Sequence, residues 1–222
     1  MQDLQNLETL EIEVLELLNS IRVLDSLYFG GGTMLRLCHN LNRYSTDLDF
    51  WVKPEIDSSI LFPKIKNELS KNYTMIDAAN KRFTMLFEFR TAKVNRNLKI
   101  EIRKGQQEFE WERKIAFSSY SNKQVVVKGL TLPQMMTNKI EAALSRKIIR
   151  DIFDIEFLLM RGIKLQNDKK KLEALLKIAE GFTDRDFKTT LGSILDNKER
   201  KFYTENKFRF LKEEIRKEIF HH

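Results

Sequence analysis

Two acids set two residues apart, Asp47 and Asp49, stand in the run Thr46-Asp47-Leu48-Asp49-Phe50. In an extended strand, residues i and i+2 point to the same face. Leu48 and Phe50 alternate with the acids, so one face is apolar and the other presents carboxylate. Two carboxylates on one face make a hard oxygen donor set, suited to Mg²⁺ (or Mn²⁺) rather than zinc. A calcium loop is excluded, because Phe50-Trp51-Val52 stands where polar ligands and a glycine are required. Upstream, Gly30-Gly31-Gly32-Thr33 forms a glycine-rich turn whose backbone can approach a phosphate closely. Ser45 sits on the loop entering the acid strand. The combination points to metal-assisted chemistry on a nucleotide. The bland alternative is a solvated acidic strand end beside an ordinary turn. Phosphoryl-transfer sites often add another acid. Glu101, in Leu98-Lys99-Ile100-Glu101-Ile102, is the candidate, against a plain surface role on a strand edge.

Elements that position these residues follow from periodicity. Leu4, Leu7, Leu10, Val14, Leu15 and Leu18 predict an amphipathic helix over 3–18. A second short helix is expected over 19–27. Thr33 is a candidate N-cap for a helix running to about Asn40. The acid strand is expected over Thr46–Lys53, ended by Pro54. A helix follows over 59–71. Strands are expected at Arg82–Arg90 and Asn97–Arg103, with weaker ones at Ile115–Phe117 and Val125–Val127. From Leu132 onward the pattern is helical, with candidates at 132–145, 148–161, 168–180, 184–195 and 205–219. The expected class is α/β (α+β): a small mixed-sheet domain over 1–130, then a helical bundle over 131–222.

Composition bounds the chemistry. A net charge of +7 permits a polyanionic partner without requiring one. The helical half carries 20 basic and 15 acidic residues, so most of the surplus lies there. One cysteine, Cys38, excludes an intrachain disulfide and a cysteine zinc site. His221 and His222 resemble a tag remnant, which leaves His39 and argues against histidine chemistry. The N-terminus is unlike a signal peptide and no apolar run spans a membrane. A cytoplasmic protein with no membrane contact is the expectation.

Phe29-Gly30-Gly31-Gly32-Thr33-Met34-Leu35 through Arg43-Tyr44-Ser45-Thr46-Asp47-Leu48-Asp49-Phe50 resembles the AbiEii/AbiGii-type toxin nucleotidyltransferases, of the polymerase-β-like superfamily. The resemblance continues in Asn138-Lys139-Ile140-Glu141-Ala142-Ala143-Leu144-Ser145-Arg146 and Arg150-Asp151-Ile152-Phe153-Asp154-Ile155. It covers about residues 28–160; the last stretch carries no matched motif. It implies that Gly31, Gly32 and Thr33 shape a triphosphate turn and that Ser45 contacts a phosphate. Asp47 and Asp49 would hold Mg²⁺. Lys139 would bind nucleotide phosphates, with Arg146 assisting and Asp154 completing the site. Glu101 fits the superfamily's third acid.

The resemblance further implies a toxin, paired with an antitoxin, that transfers a nucleoside monophosphate from an NTP such as ATP or GTP to an RNA or tRNA hydroxyl. A small-molecule acceptor, as in antibiotic-modifying enzymes, is the rival enzyme reading. A non-catalytic RNA- or protein-binding module is the non-enzyme reading. Physically, Lys139, Arg146 and Arg150 share a face if their helix is continuous. Asp151 and Asp154, three apart, also share one. The segment Lys198–Lys217 interleaves basic residues with Phe202, Tyr203, Phe208 and Phe210, a pattern that serves either a core or RNA stacking.

Overall fold

The computed structural model describes residues 1–105, 107–165 and 168–221; His222, of the terminal pair, lies outside them. The chain divides into two compact units, Met1–Thr131 and Leu132–His222.

In the first unit, helix α1 (Gln2–Ser20) leads through a 3-10 turn (Leu24–Ser26) to strand β1 (Leu27–Gly30). Helix α2 (Gly31–His39), β2 (Asp47–Val52), α3 (Leu61–Asn72), β3 (Thr74–Asn80), β4 (Thr84–Thr91), β5 (Val94–Arg103), β6 (Trp111–Phe117) and β7 (Gln124–Leu130) follow. The strands form one mixed sheet ordered β3-β4-β5-β2-β1-β7-β6. β2 is central: it runs antiparallel to β1, with Gly30 opposite Asp49, and parallel to β5, with Asp49 beside Glu101. The expected α+β class is borne out.

The core lies on one side of this sheet. Phe29 and Phe50 stack at 4.9 Å between their ring centres, and Phe62 of α3 stacks on Phe87 at 5.1 Å. Leu4, Leu7, Leu10, Leu15 and Leu18 of α1, with Met34, Leu35 and Leu37 of α2, are buried. On β2 the alternation is strict: Leu48, Phe50 and Val52 are buried, while Asp47, Asp49 and Trp51 are half-buried. A sheet packed on one face leaves the other free for polar work.

The expected helix over 19–27 is absent: Arg22 adopts φ 57° and ends α1, and only the short 3-10 turn follows. Thr33 is no N-cap; α2 starts two residues earlier, with Gly30 as its cap and Gly31 at φ 73°. Strand β3 was not anticipated. Its sequence lacks apolar alternation because it is the sheet's edge, paired only with β4.

The second unit holds α4 (Leu132–Arg146), α5 (Ile149–Met160), α6 (Lys169–Glu180), a π-helical stretch (Asp186–Leu191), a 3-10 turn (Gly192–Ile194), α7 (Asn197–Asn206) and α8 (Arg209–His221). The expected helix over 205–219 is broken. Lys207 and Phe208 both take positive φ, 46° and 57°, and α8 begins after them. Phe208 is thereby swung into the core, against Phe187 at 5.1 Å and Tyr203 at 5.6 Å. Burying a large aromatic outweighs the strain of two left-handed residues. Phe202 and Phe210 stay exposed, so the basic–aromatic segment is half core and half surface.

Candidate active site

Asp49 projects from β2 on the free face of the sheet, opposite Gly30. The close approach of the next residue explains the glycine turn. A Cβ on Gly31 would stand 2.2 Å from the Asp49 Oδ2, and its φ of 73° is one that side chains resist. A Cβ on Gly32 would stand 2.4 Å from an Arg43 guanidinium nitrogen and 2.8 Å from the Ser45 hydroxyl. Glycine at both positions therefore lets carboxylate, guanidinium and hydroxyl converge on the start of α2. The N-cap residue, Gly30, has no side chain to cap that helix end, whose dipole favours an anion.

Arg43 is the residue the sequence reading quoted without assigning a role. It is 3% exposed, and one of its guanidinium nitrogens donates to the Tyr44 carbonyl at 2.9 Å. A buried arginine at a glycine turn suits a polyphosphate. Its signal was present in the run Arg43-Tyr44-Ser45, but solvent exposure could not be read from sequence.

Thr33 was expected beside the phosphates. Its side chain is fully buried, and its hydroxyl donates to the Asp47 backbone carbonyl at 2.6 Å. It pins α2 to the start of the acid strand instead. Glu101 sits beside Asp49 on β5. Its carboxylate is held by Lys99 at 3.3 Å and Arg103 at 3.2 Å. Arg103 also approaches the Asp49 Oδ1 at 3.8 Å. Among the described residues, no group of three potential metal ligands is gathered. The pair Asp47 and Asp49 still fits Mg²⁺, which keeps several waters and takes one or two carboxylates plus substrate phosphates.

Below the strand lies a residue the sequence reading missed. Glu11 of α1 is 1% exposed, and its Oε1 has no hydrogen-bond partner among the described residues. Burial pushes its carboxyl well above the ordinary value of 4.5, helped by the charges of Glu8 and Asp47 and opposed by Arg36 and a hydrogen bond with Thr33. Burial is the largest cause and Oε1 has no partner among the described residues, so the site favours the neutral acid. Glu8, one turn away, is satisfied by Arg36 at 2.8 Å and Ser118 at 2.6 Å. The signal for Glu11 was its place in the apolar stripe, four after Leu7 and four before Leu15.

Because folding raises this pKa, the folded state binds the proton more tightly than the unfolded chain. Stability is fullest below 4.5 and falls as pH rises above it, at most by about 1.4 kcal/mol per pH unit from this group. Glu11→Gln removes that slope. Urea unfolding in EDTA should find the variant level with wild type near pH 4.5 and more stable than wild type as pH rises above it. A constant difference across pH would refute a buried neutral Glu11.

In the second unit, Lys139, Asp151, Asp154 and Arg146 form one ion network. Lys139 Nζ lies 2.6 Å from Asp154 and 3.2 Å from Asp151. Arg146 grips Asp151 with two bonds of 2.7 Å. Lys139 is 6% exposed and both aspartates are fully buried, whereas the Arg146 side chain is half-exposed. Lys139, Arg146 and Arg150 do not share one helix face. α4 ends at Arg146 and Arg150 belongs to α5, so the expected basic stripe is split. Desolvation of half-buried Cys38 pushes its thiol up to about 12. Among the described residues, no helix is long and apolar enough to cross a membrane.

No curated protein matches the chain. Two solved structures from Helicobacter pylori share the fold. JHP933 has a TM-score of 0.55 and 18% identity, covering 96% of this chain and 94% of its own. A protein given a provisional nucleotidyltransferase assignment has a TM-score of 0.54 and 19% identity, covering 94% of this chain and 96% of its own. The family model for the nucleotidyl transferase AbiEii toxin of type IV toxin–antitoxin systems matches residues 18–219. Since that match runs through the glycine turn, the acid strand and the buried ion network alike, the chain belongs to the AbiEii nucleotidyl transferase toxin family and is a nucleotidyltransferase.

Proposed function

We propose that the protein transfers a nucleoside monophosphate from an NTP to a hydroxyl of an RNA acceptor, tRNA included, as the toxin of a cytoplasmic toxin–antitoxin pair. The observation that carries the reading is the convergence of Asp49, Arg43 and Ser45 on a side-chain-free helix start. The N–H groups of Gly31 and Gly32, with Ser45 and Arg43, hold the β- and γ-phosphates. Asp47 and Asp49 hold Mg²⁺ or Mn²⁺, which when bound supplies positive charge against the triphosphate. The acceptor oxygen bonds to the α-phosphorus as the bond to the bridging oxygen breaks. Pyrophosphate leaves with the electron pair, and the hydroxyl proton passes to water. Glu101 keeps Arg103 aimed at Asp49 rather than serving as a metal ligand. Lys139, Asp154 and Asp151 act as one charged unit within the helical half, with Arg146 its exposed member.

The test is incubation with each α-labelled nucleoside triphosphate and Mg²⁺, offering total RNA and an aminoglycoside mixture in parallel. Label on RNA alone is the expected result. Label on the aminoglycosides alone would move the protein to small-molecule modification. No label on either, from folded protein that binds nucleotide, would favour a binding module.

A further inference from the structure

Beyond the acids, the free face of the sheet carries a continuous band of rings and cations. Lys128 lies 5.9 Å from the centre of the Trp111 ring. Trp111 neighbours Tyr28 at 6.2 Å, and Tyr28 meets Phe109 edge-on at 6.1 Å. Phe109 contacts Trp51 at 5.5 Å, and the Arg103 guanidinium lies 4.9 Å over Trp51. At the Trp51 end the band opens into a cleft of about 250 Å³, lined by Trp51, Phe83, Phe109, Arg103 and Lys104 among others. Phe83, on its rim, is 66% exposed with the Arg82 guanidinium 5.0 Å from its ring. A large aromatic left in water beside cations is not explained by packing.

Position along β2 gives this cleft a direction. Ser45 and the Gly31–Gly32 turn lie at the Asp47 end of the strand. Trp51 lies beyond Asp49 at the other end, roughly 7 Å further by strand rise. In-line displacement sets the entering and leaving oxygens on opposite sides of the phosphorus. If pyrophosphate leaves toward the glycine turn, the acceptor comes from the Trp51 side. There it meets the exposed ring of Phe83, the half-buried ring of Trp51 and the cations Arg103 and Lys104. Arg103 is shared with Glu101 and Asp49, and Lys104 donates to Asn80 and the Lys81 carbonyl. Glu55 and Glu108 are the acids near Tyr28. Rings interleaved with cations match a polyanion that carries stackable bases, and repel a polycationic small molecule. The cleft falls below the roughly 300–1,000 Å³ that encloses a drug-sized ligand, so it suits one base rather than a whole substrate.

We propose that this cleft stacks an unpaired base of a single-stranded acceptor nucleic acid, on the side of Asp49 from which the acceptor hydroxyl approaches. The direction rests on the nucleotidyl-transfer reading above; the stacking itself rests on the cleft. The chain's two tryptophans, Trp51 and Trp111, both lie in the band, so intrinsic fluorescence reports on it. The probe is a mixed-sequence single-stranded RNA dodecamer, titrated in EDTA without nucleotide. In Trp111→Phe, which isolates Trp51, the RNA should quench emission, whereas heparin should bind without quenching. Phe83→Ala, at an exposed position that needs no repacking, should weaken dodecamer binding about five- to hundredfold. Trp51→Ala should do the same, with affinity for a fluorescent ATP analogue in Mg²⁺ kept within twofold.

Equal dodecamer binding by wild type and Phe83→Ala, or equal quenching by heparin, overturns the proposal. Loss of ATP-analogue affinity with dodecamer binding intact also overturns it, by assigning the cleft to the incoming nucleotide's base. Quenching by RNA from a protein that labels no acceptor upholds the single-strand site and overturns only the reaction assigned beside it.

Discussion

Asp49→Asn is expected to lower nucleotidyl transfer by roughly 10³-fold, equivalent to about 4 kcal/mol of transition-state stabilisation. The substitution keeps the shape of the side chain and removes its charge. Asp49 is the acid that Gly31 is built around, with the space for a Cβ taken by its carboxylate. It shares its strand face with Asp47, so neutralising it relieves repulsion in the metal-free protein. Its contact with Arg103, at 3.8 Å with both side chains partly exposed, stabilises little. The variant should remain folded, as thermal unfolding in EDTA will show, while activity collapses. The matching readout is Mg²⁺ dependence: wild type saturates, and Asp49→Asn stays near background across the titration. Asp47→Asn should behave alike. Transfer within tenfold of wild type by either folded variant would remove the carboxylate pair from the chemistry.

Lys139→Ala is expected to destabilise the helical unit by about 3–5 kcal/mol, because it takes the ammonium from between two buried carboxylates. Asp154 loses the ammonium at 2.6 Å, and Asp151 keeps the Arg146 guanidinium. On a unit of this size the midpoint should fall by more than about 10 °C. The double variant Lys139→Met with Asp154→Asn removes both charges and should recover most of that loss. This cycle separates two roles. A folding role predicts that activity returns with stability in the double variant. A phosphate-binding role predicts a stable double variant that stays inactive with a raised KM for nucleotide. A Lys139→Ala protein as stable as wild type would contradict the buried network.

Much of the catalytic half was legible because its signals are local. The alternation of Asp47, Leu48, Asp49 and Phe50 determines which face is wet, whatever packs on the other. The glycines announced a backbone position closed to side chains. The periodicity of α1, α4 and α5 is written in their leucines and isoleucines. What the sequence could not decide depends on partners far along the chain. β3 exists because β4 offers it an edge, and the turn at Lys207–Phe208 exists because Phe187 and Tyr203 make a place for a ring. Glu11 gave no functional signal beyond its place in the apolar stripe, and Lys139 was expected at the nucleotide phosphates. The fold pushes the Glu11 carboxyl well above its ordinary value, chiefly by burial, and sets Lys139 between two buried carboxylates, since the free energy of a charge is set by the medium the fold puts around it.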